Sequence, residues 1–129
     1  MRAMRRTIEA MHRRGVRRIV NLSGAGITAP GEEKPLFDKI ATRIVRLFSG
    51  SVVAAKQAEY DELAKSDLDW VAVRPALVTD GPLTGRYAAG PSELRPGARI
   101  SRADVAHLML AQAEHPTHIG APGIFVRAT

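Results

Sequence analysis

Residues 68–75 read Leu-Asp-Trp-Val-Ala-Val-Arg-Pro, a nearly continuous apolar run. β-branched and aromatic residues in such a run are typical of a strand that is buried on both faces of a parallel sheet. Pro75 lacks the backbone N–H that a neighbouring strand would need, so the strand is expected to end there. The run therefore predicts one buried strand of a layered α/β domain.

A second strand is predicted at residues 18–23, which read Arg-Ile-Val-Asn-Leu-Ser and are followed by the turn residues Gly24 and Gly26. The chain between the two strands carries apolar residues at helical spacing, first over 36–48 and again over 53–63. Because a helical connection of this length joins the strands, they are expected to be parallel, with a right-handed crossover.

The rest of the chain predicts two further helices, a long loop and a short strand. The first helix is expected to stop at Gly15. The segment Thr79–Gly97 is punctuated by Gly and Pro and is too long for a plain connector, which is typical of a lid or a binding loop. Ser101 and Asp104 form a capping-box pattern at the start of another helix, and residues 123–126 predict a final strand. Two or three parallel strands, the first without an obvious neighbour, make an incomplete sheet.

Composition limits the chain to one domain of ordinary character. It has 129 residues, of which 45% are hydrophobic and 25% charged. The absence of cysteine excludes disulfides, a thiolate nucleophile and cysteine zinc sites. No apolar run approaches the roughly 18 residues that span a bilayer, and no signal core follows the basic start. These features predict no membrane segment and a cytoplasmic location.

The net charge of +6 comes largely from arginines within residues 2–18. Such a cluster is compatible with binding to nucleic acid or another anionic surface, or with the solvated face of one helix. No aromatic residue for base stacking lies between these arginines, so the solvated face is favoured and no nucleic-acid partner is predicted. The four histidines show no metal-ligand spacing. They are assigned to the surface or to packing, and no metal site is predicted.

The carboxyl ends of the two strands are where an open parallel sheet binds ligands. Ser23 would present a hydroxyl there, or would simply begin a turn. Lys56 occupies an otherwise apolar helical stripe, so it either extends past the core into solvent or reaches a polar ligand. The run Gly24-Ala25-Gly26 lacks the spacing of a dinucleotide fingerprint.

Several ordered segments carry a family resemblance. The strand before Gly24-Ala25-Gly26, the run Lys56-Gln57-Ala58-Glu59 and the segments 66–75, 81–87 and 100–106 are similar to the later half of atypical short-chain dehydrogenase/reductases. The combination most resembles the NAD(P)H-binding group that includes flavin reductase/biliverdin reductase B-like and NmrA-like proteins. The resemblance implies an incomplete Rossmann-like parallel sheet with helices on both faces. Residues 1–129 would form a single partial NAD(P)-binding domain that lacks the N-terminal glycine-rich half.

The resemblance also implies the site residues. Ser23 and Lys56 match the catalytic positions, and in the YxxxK arrangement of typical members the tyrosine would fall at Val52. Residues matching the cofactor-binding positions are Ser23, Gly24, Lys56, Arg74, Pro75, Ala76 and Leu77. Residues matching the substrate loop are Leu83, Thr84, Arg86 and Tyr87.

The function that this resemblance implies is NAD(P)H-dependent reduction of a small organic acceptor such as a flavin. NADP is expected in preference to NAD, and binding by this chain alone is expected to be weak. Two alternatives remain: a non-catalytic NmrA-like cofactor sensor, for which the valine at position 52 is suited, and an inactive truncated fragment. The unpaired edge of the first strand is expected to promote self-association.

Overall fold

A computed structural model of the chain describes residues 2–24, 52, 54–90, 93, 95, 97–120 and 123–129. In chain order its helices and strands are α1 (Arg2–Arg14), β1 (Arg18–Leu22), α2 (residues 54–65), β2 (Asp69–Pro75), β3 (Leu77–Thr79), β4 (Tyr87–Gly90), β5 (Arg99–Ser101), α3 (Arg102–Glu114) and β6 (Ile124–Ala128). The helix predicted over 36–48 lies outside the described residues.

The main sheet has the strand order β1-β2-β6-β4. β1 and β2 are parallel, with Arg18 opposite Asp69, and β2 and β6 are parallel, with Val73 opposite Ile124. The predicted parallel pair is therefore confirmed. β1 is the outermost strand, and among the described residues it pairs with β2 alone.

The strand content of the second half differs from the prediction. β4 is antiparallel to β6, and β3 and β5 form a separate two-stranded parallel sheet. The main sheet has three parallel strands, β1, β2 and β6, as predicted, whereas β4 and the small β3–β5 sheet were not predicted, and part of the predicted loop Thr79–Gly97 is the strand β4. β4 reads Tyr-Ala-Ala-Gly, which has no strand-like apolar alternation; it forms because the backbone edge of β6 accepts it.

Helices cover both faces of the main sheet, as predicted. On one face Trp70 and Ala72 of β2 pack with α1 and α2, and Tyr60 meets Trp70 edge to face with ring centroids 5.8 Å apart. On the other face Val71 and Val73 pack with α3. The two clusters comprise Met4, Tyr60, Leu63, Trp70 and Ala72, and Val71, Val73, Ile100, Val105, Leu108, Ile124 and Val126.

Two predicted helix boundaries are confirmed. α1 is followed by Gly15 in a left-handed conformation, with φ of 67°. α3 is capped by Ser101, whose Oγ accepts a hydrogen bond from the backbone N–H of Asp104 at 3.0 Å. None of the helices in the described part of the chain combines the length and apolar character needed to cross a membrane.

Candidate functional site

The predicted site segments meet at one edge of the main sheet. The carboxyl ends of β1 and β2 are adjacent because the strands are parallel and in register. Residues 80–86 reach the same edge, since Tyr87 at the start of β4 lies opposite Ala128 at the end of β6. The fold therefore places Ser23, the run after Arg74 and the predicted substrate loop along one border.

Ser23 is the innermost polar residue at the end of β1. It is 7% exposed, and its backbone N–H donates to the Val73 carbonyl at 2.8 Å. Its Oγ is buried and has no hydrogen-bond partner among the residues that the structure describes, and the same holds for Nδ2 of Asn21. Residues two apart on a strand share a face, so these unpartnered atoms lie on the same side of β1. Buried polar atoms without partners are uncommon in folded proteins and indicate capacity for a ligand or water.

Lys56 reaches the same strand end from α2. Its Nζ donates to the carbonyl of Leu22 at 3.1 Å and lies 3.6 Å from Oε1 of Glu59, and its side chain is 43% exposed. The ammonium is therefore held at the residue before Ser23, with one side open to solvent. Val52, at the position of the family's tyrosine, is 62% exposed.

Arg74 points into the protein. It is 1% exposed, its Nε donates to the carbonyl of Gly24 at 3.2 Å, and its guanidinium carbon lies 4.4 Å from the ring centroid of Phe125. Of the residues that follow, Pro75 is buried, whereas Ala76 and Leu77 are exposed at the sheet edge. The run 76–77 thus offers an exposed segment at the sheet edge, whereas the side chain of Arg74 is buried.

Asp104 anchors the predicted substrate loop. This buried carboxylate accepts hydrogen bonds from the Thr84 backbone N–H at 2.9 Å, the Thr84 hydroxyl at 2.7 Å and the Gly85 N–H at 3.0 Å. The bond from the Thr84 hydroxyl, with help from the backbone N–H groups, holds the pKa of Asp104 below its usual value. Leu83, Thr84 and Arg86 remain exposed. The prediction of one continuous loop over Thr79–Gly97 is therefore wrong, because this part is tied to α3 and continues into β4.

Tyr87 and His107 form a pair beside this anchor. The Tyr87 hydroxyl lies 2.6 Å from Nδ1 of His107, and their rings meet edge to face. Burial, with a smaller contribution from the charge of Asp104, raises the pKa of Tyr87. Sequence reasoning assigned His107 to the surface or to packing and missed this partner, as it missed Asn21. The only signal for Asn21 was a polar side chain inside an apolar run.

Across the described ranges, no group of three or more His, Asp or Glu side chains is placed to hold a metal ion.

Comparison with known proteins gives a family and several similar folds. Residues 1–116 match the model of a family described as NAD(P)H-binding. A candidate NAD-dependent epimerase/dehydratase from Bacillus halodurans is 26% identical, with a TM-score of 0.71 over 98% of this chain and 53% of that one. No curated protein sequence matches significantly.

Two further solved structures share the fold at lower identity. The anaerobilin reductase ChuY from Escherichia coli O157:H7 is 20% identical, with a TM-score of 0.78 over 98% of this chain and 57% of that one. A short-chain dehydrogenase/reductase from Veillonella parvula, solved with NADP, is 21% identical, with a TM-score of 0.74 over 96% and 56%. The present chain thus spans little more than half the length of each.

Proposed function

The chain belongs to the NAD(P)H-binding family, and from that premise we propose that the edge around Ser23 serves NAD(P)H-dependent reduction of a small organic acceptor such as a flavin. The observation that carries this proposal is the buried Ser23 Oγ, which lacks a partner among the described residues although it sits at the carboxyl end of a parallel strand. A hydroxyl in that position can bond a ligand without giving up a bond to the protein.

The residues present fit the nicotinamide end of the cofactor. Ser23 offers an unpartnered hydroxyl, Lys56 an ammonium with an open side, and the run 76–77 an exposed segment at the sheet edge. When bound, NAD(P)H supplies a hydride to the acceptor. The protein's part would be positional: Ser23 would donate a hydrogen bond to the acceptor, Lys56 would hold the ribose side, and Gly24, Ala76 and Leu77 would border the nicotinamide.

The finer cofactor proposal is NADP in preference to NAD, with weak binding by this chain. Its support is the basic net charge of +6, which favours the more negative cofactor, and the NADP seen in the Veillonella parvula structure. The weak binding follows from the sequence. The run Gly24-Ala25-Gly26 lacks fingerprint spacing, so the pyrophosphate would miss the backbone donors that a glycine-rich turn supplies.

A cofactor sensor of the NmrA-like kind is the second candidate. The observation that favours it is Val52, an exposed aliphatic side chain where typical members of the family carry the acid–base tyrosine. A sensor would bind the cofactor without turning it over. An inactive fragment, the third interpretation, would do neither.

The test is a titration of the purified chain with NADPH, followed by oxidation of NADPH with free flavin as acceptor. We expect a dissociation constant weaker than micromolar, with measurable turnover at saturation. Ser23→Ala should lower turnover about tenfold or more and change the dissociation constant less than about twofold. Ser66→Ala is the matched control, since its hydroxyl bonds the Leu63 carbonyl on another side of the domain.

Each outcome of this test separates the candidates. Binding without turnover would support the sensor, and no binding even at millimolar NADPH would contradict both cofactor-based functions. A micromolar or tighter constant would instead overturn the weak-binding proposal.

Self-association through the edge of β1 that has no paired strand among the described residues is part of the same proposal. Leu22 at the end of this strand and Val16, two residues before its start, are exposed, and a groove of about 450 Å³ beside Val16 runs along α1. An unpaired edge next to apolar surface recruits a second copy. Light scattering over a concentration series should show dimers or larger species, and a lower mass for Leu22→Lys. A stable wild-type monomer throughout would contradict it.

A further inference from the structure

Arg74 is the largest fully buried side chain in the described part of the chain. It lies opposite Phe125 in the β2–β6 ladder, and its guanidinium stacks on that ring. Its Nε also donates to the carbonyl of Gly24, the second residue after β1. One side chain therefore links the end of β1 to β2 and to β6.

Gly123 makes this path possible. A Cβ at position 123 would lie 2.2 Å from Cδ and 3.0 Å from Cγ of Arg74, and the residue has a φ of 139°. The first distance is far inside van der Waals contact, and the φ is one that residues with side chains rarely adopt. The arginine can lie across the sheet only because position 123 has no side chain.

The position between Gly123 and Phe125 also requires an arginine and not another basic residue. The guanidinium is planar, so it can stack on an aromatic ring while its Nε–H points sideways to a carbonyl. A lysine ammonium has neither the flat face nor a donor at the Nε position. The contact to Gly24 therefore depends on the chemistry of Arg74 and not only on its length or charge.

We infer that Arg74, seated between Gly123 and Phe125, is a positioning residue that holds the turn carrying Ser23. Gly24 follows Ser23 directly, so a fixed Gly24 carbonyl limits where the Ser23 hydroxyl can point. This differs from the cofactor contact expected for Arg74, because a side chain that is 1% exposed meets the turn and not the solvent. The consequence for catalysis rests on the proposed function of Ser23. The contact of Arg74 with the Gly24 carbonyl, called the clamp below, does not rest on it.

The clamp is tested by hydrogen exchange of the Ser23 amide, whose N–H donates to Val73 O. Gly123→Ala and Arg74→Lys should each speed its exchange by about tenfold or more while the amide of Ile19, which faces β2 farther along the same ladder, keeps its protection. Gly81→Ala is the matched control, because a Cβ there meets only ordinary contacts at 3.5 Å. Exchange within twofold of the wild type in both folded variants would overturn the inference.

Further variants keep the test decisive. If Gly123→Ala does not fold, Phe125→Leu, which removes the stacking ring, should still speed Ser23 exchange. In an Arg74→Ala background, Gly123→Ala should speed Ser23 exchange much less than it does in the wild type, because the collision with the arginine side chain is gone and only the strain at the φ of 139° remains. A full additional effect in that background would mean that Gly123 acts independently of Arg74.

Turnover supplies the second readout. Arg74→Lys should lower kcat for NADPH oxidation and leave KM for NADPH nearly unchanged, since the residue orients Ser23 and does not touch the cofactor. A rise in KM with unchanged kcat would mean that Arg74 binds the cofactor directly, and would contradict the positioning role. If the wild type itself shows no turnover, the proposed function fails, while hydrogen exchange still decides whether Arg74 holds the turn.

Discussion

Two regions at the same edge of the main sheet, the α3 corner around Asp104 and the β1 corner around Ser23, differ in whether their buried polar groups have hydrogen-bond partners. At the α3 corner the Asp104 carboxylate accepts three hydrogen bonds from Thr84 and Gly85. At the β1 corner Oγ of Ser23 and Nδ2 of Asn21 are equally withdrawn from water but have no partner in the described part of the chain.

The difference distinguishes polar residues that stabilise the fold from those free to serve a ligand. A buried group whose partners belong to its own chain stabilises the structure, and removing it leaves those partners unsatisfied. A buried group without partners costs stability, and a ligand bound at the strand end, as proposed above, would supply the hydrogen bond that the protein does not. The following predictions test this comparison on each corner.

Asp104→Ala should have the largest effect on stability. The backbone N–H groups of Thr84 and Gly85 lose their acceptor, so the melting temperature should fall by about 10 °C or more. Asp80→Ala is the control, since Asp80 forms only an exposed pair with Arg102 and should shift Tm by less than about 2 °C. Thermal unfolding followed by circular dichroism measures both. If Asp104→Ala shifts Tm by as little as Asp80→Ala does, the hydrogen bonds of Asp104 do not stabilise the fold, and the two corners do not differ in this respect.

Acid should weaken the α3 corner selectively. The folded pKa of Asp104 is lowered, so its contribution to stability is present above the ordinary carboxyl pKa and is lost as pH falls through the lower folded value. The difference in urea midpoint between wild type and Asp104→Asn should therefore be constant from pH 7 to 5 and shrink below about pH 4. A difference that stays the same at pH 3 would mean that the charge of Asp104 contributes nothing.

Ser23→Ala should be tolerated by the fold, in contrast to Asp104→Ala. The hydroxyl has no partner to lose, so the free energy of unfolding should stay within about 1 kcal/mol of wild type or rise slightly. Urea denaturation at pH 7 provides the measurement. A loss above roughly 2 kcal/mol would show that Ser23 is bonded in solution, and the two corners would no longer differ.

Lys56→Met should have the smallest effect on stability. The lysine is 43% exposed and 3.6 Å from Glu59, so its ion pair contributes less than about 1 kcal/mol, which a methionine in an apolar stripe offsets. The cost should instead fall on ligand binding, with a weaker dissociation constant for NADPH and slower turnover. Binding and turnover equal to wild type would remove Lys56 from the site.

The strands that sequence could predict are those whose own residues specify them. β1 and β2 were predicted to within one residue at each of the ends that differ: β2 begins one residue later than the apolar run, and β1 ends one residue earlier than predicted. Both were predictable because their own Val, Ile and Trp residues favour a buried strand. β3, β5 and β4 are only three or four residues long and were missed, since their pairing depends on partners distant in the chain. Gly15 and the Ser101 cap were predictable because they depend on neighbours within a turn.

The site follows the same division. The location of Ser23 and Lys56 at a strand end could be predicted from pattern and resemblance. Three features could not be predicted, because each depends on which segments the fold brings together: the burial of Arg74, the lack of a partner for Asn21 among the described residues, and the bonds from Thr84 to Asp104. Asp104 was predicted as part of a helix cap, yet its carboxylate serves a turn twenty residues earlier.

The position of β6 in the sheet makes two ladders depend on the same strand. β6 is the last strand of the chain and yet lies between β2 and β4, so neither can complete its ladder until Ile124–Ala128 arrives. The β1–β2 ladder, with Arg18 opposite Asp69, likewise closes a long loop before any contact stabilises it. Chains dominated by such distant pairings fold over on the order of milliseconds to seconds. Until Ile124–Ala128 is in place, the edge of β2 that faces β6 stays unpaired.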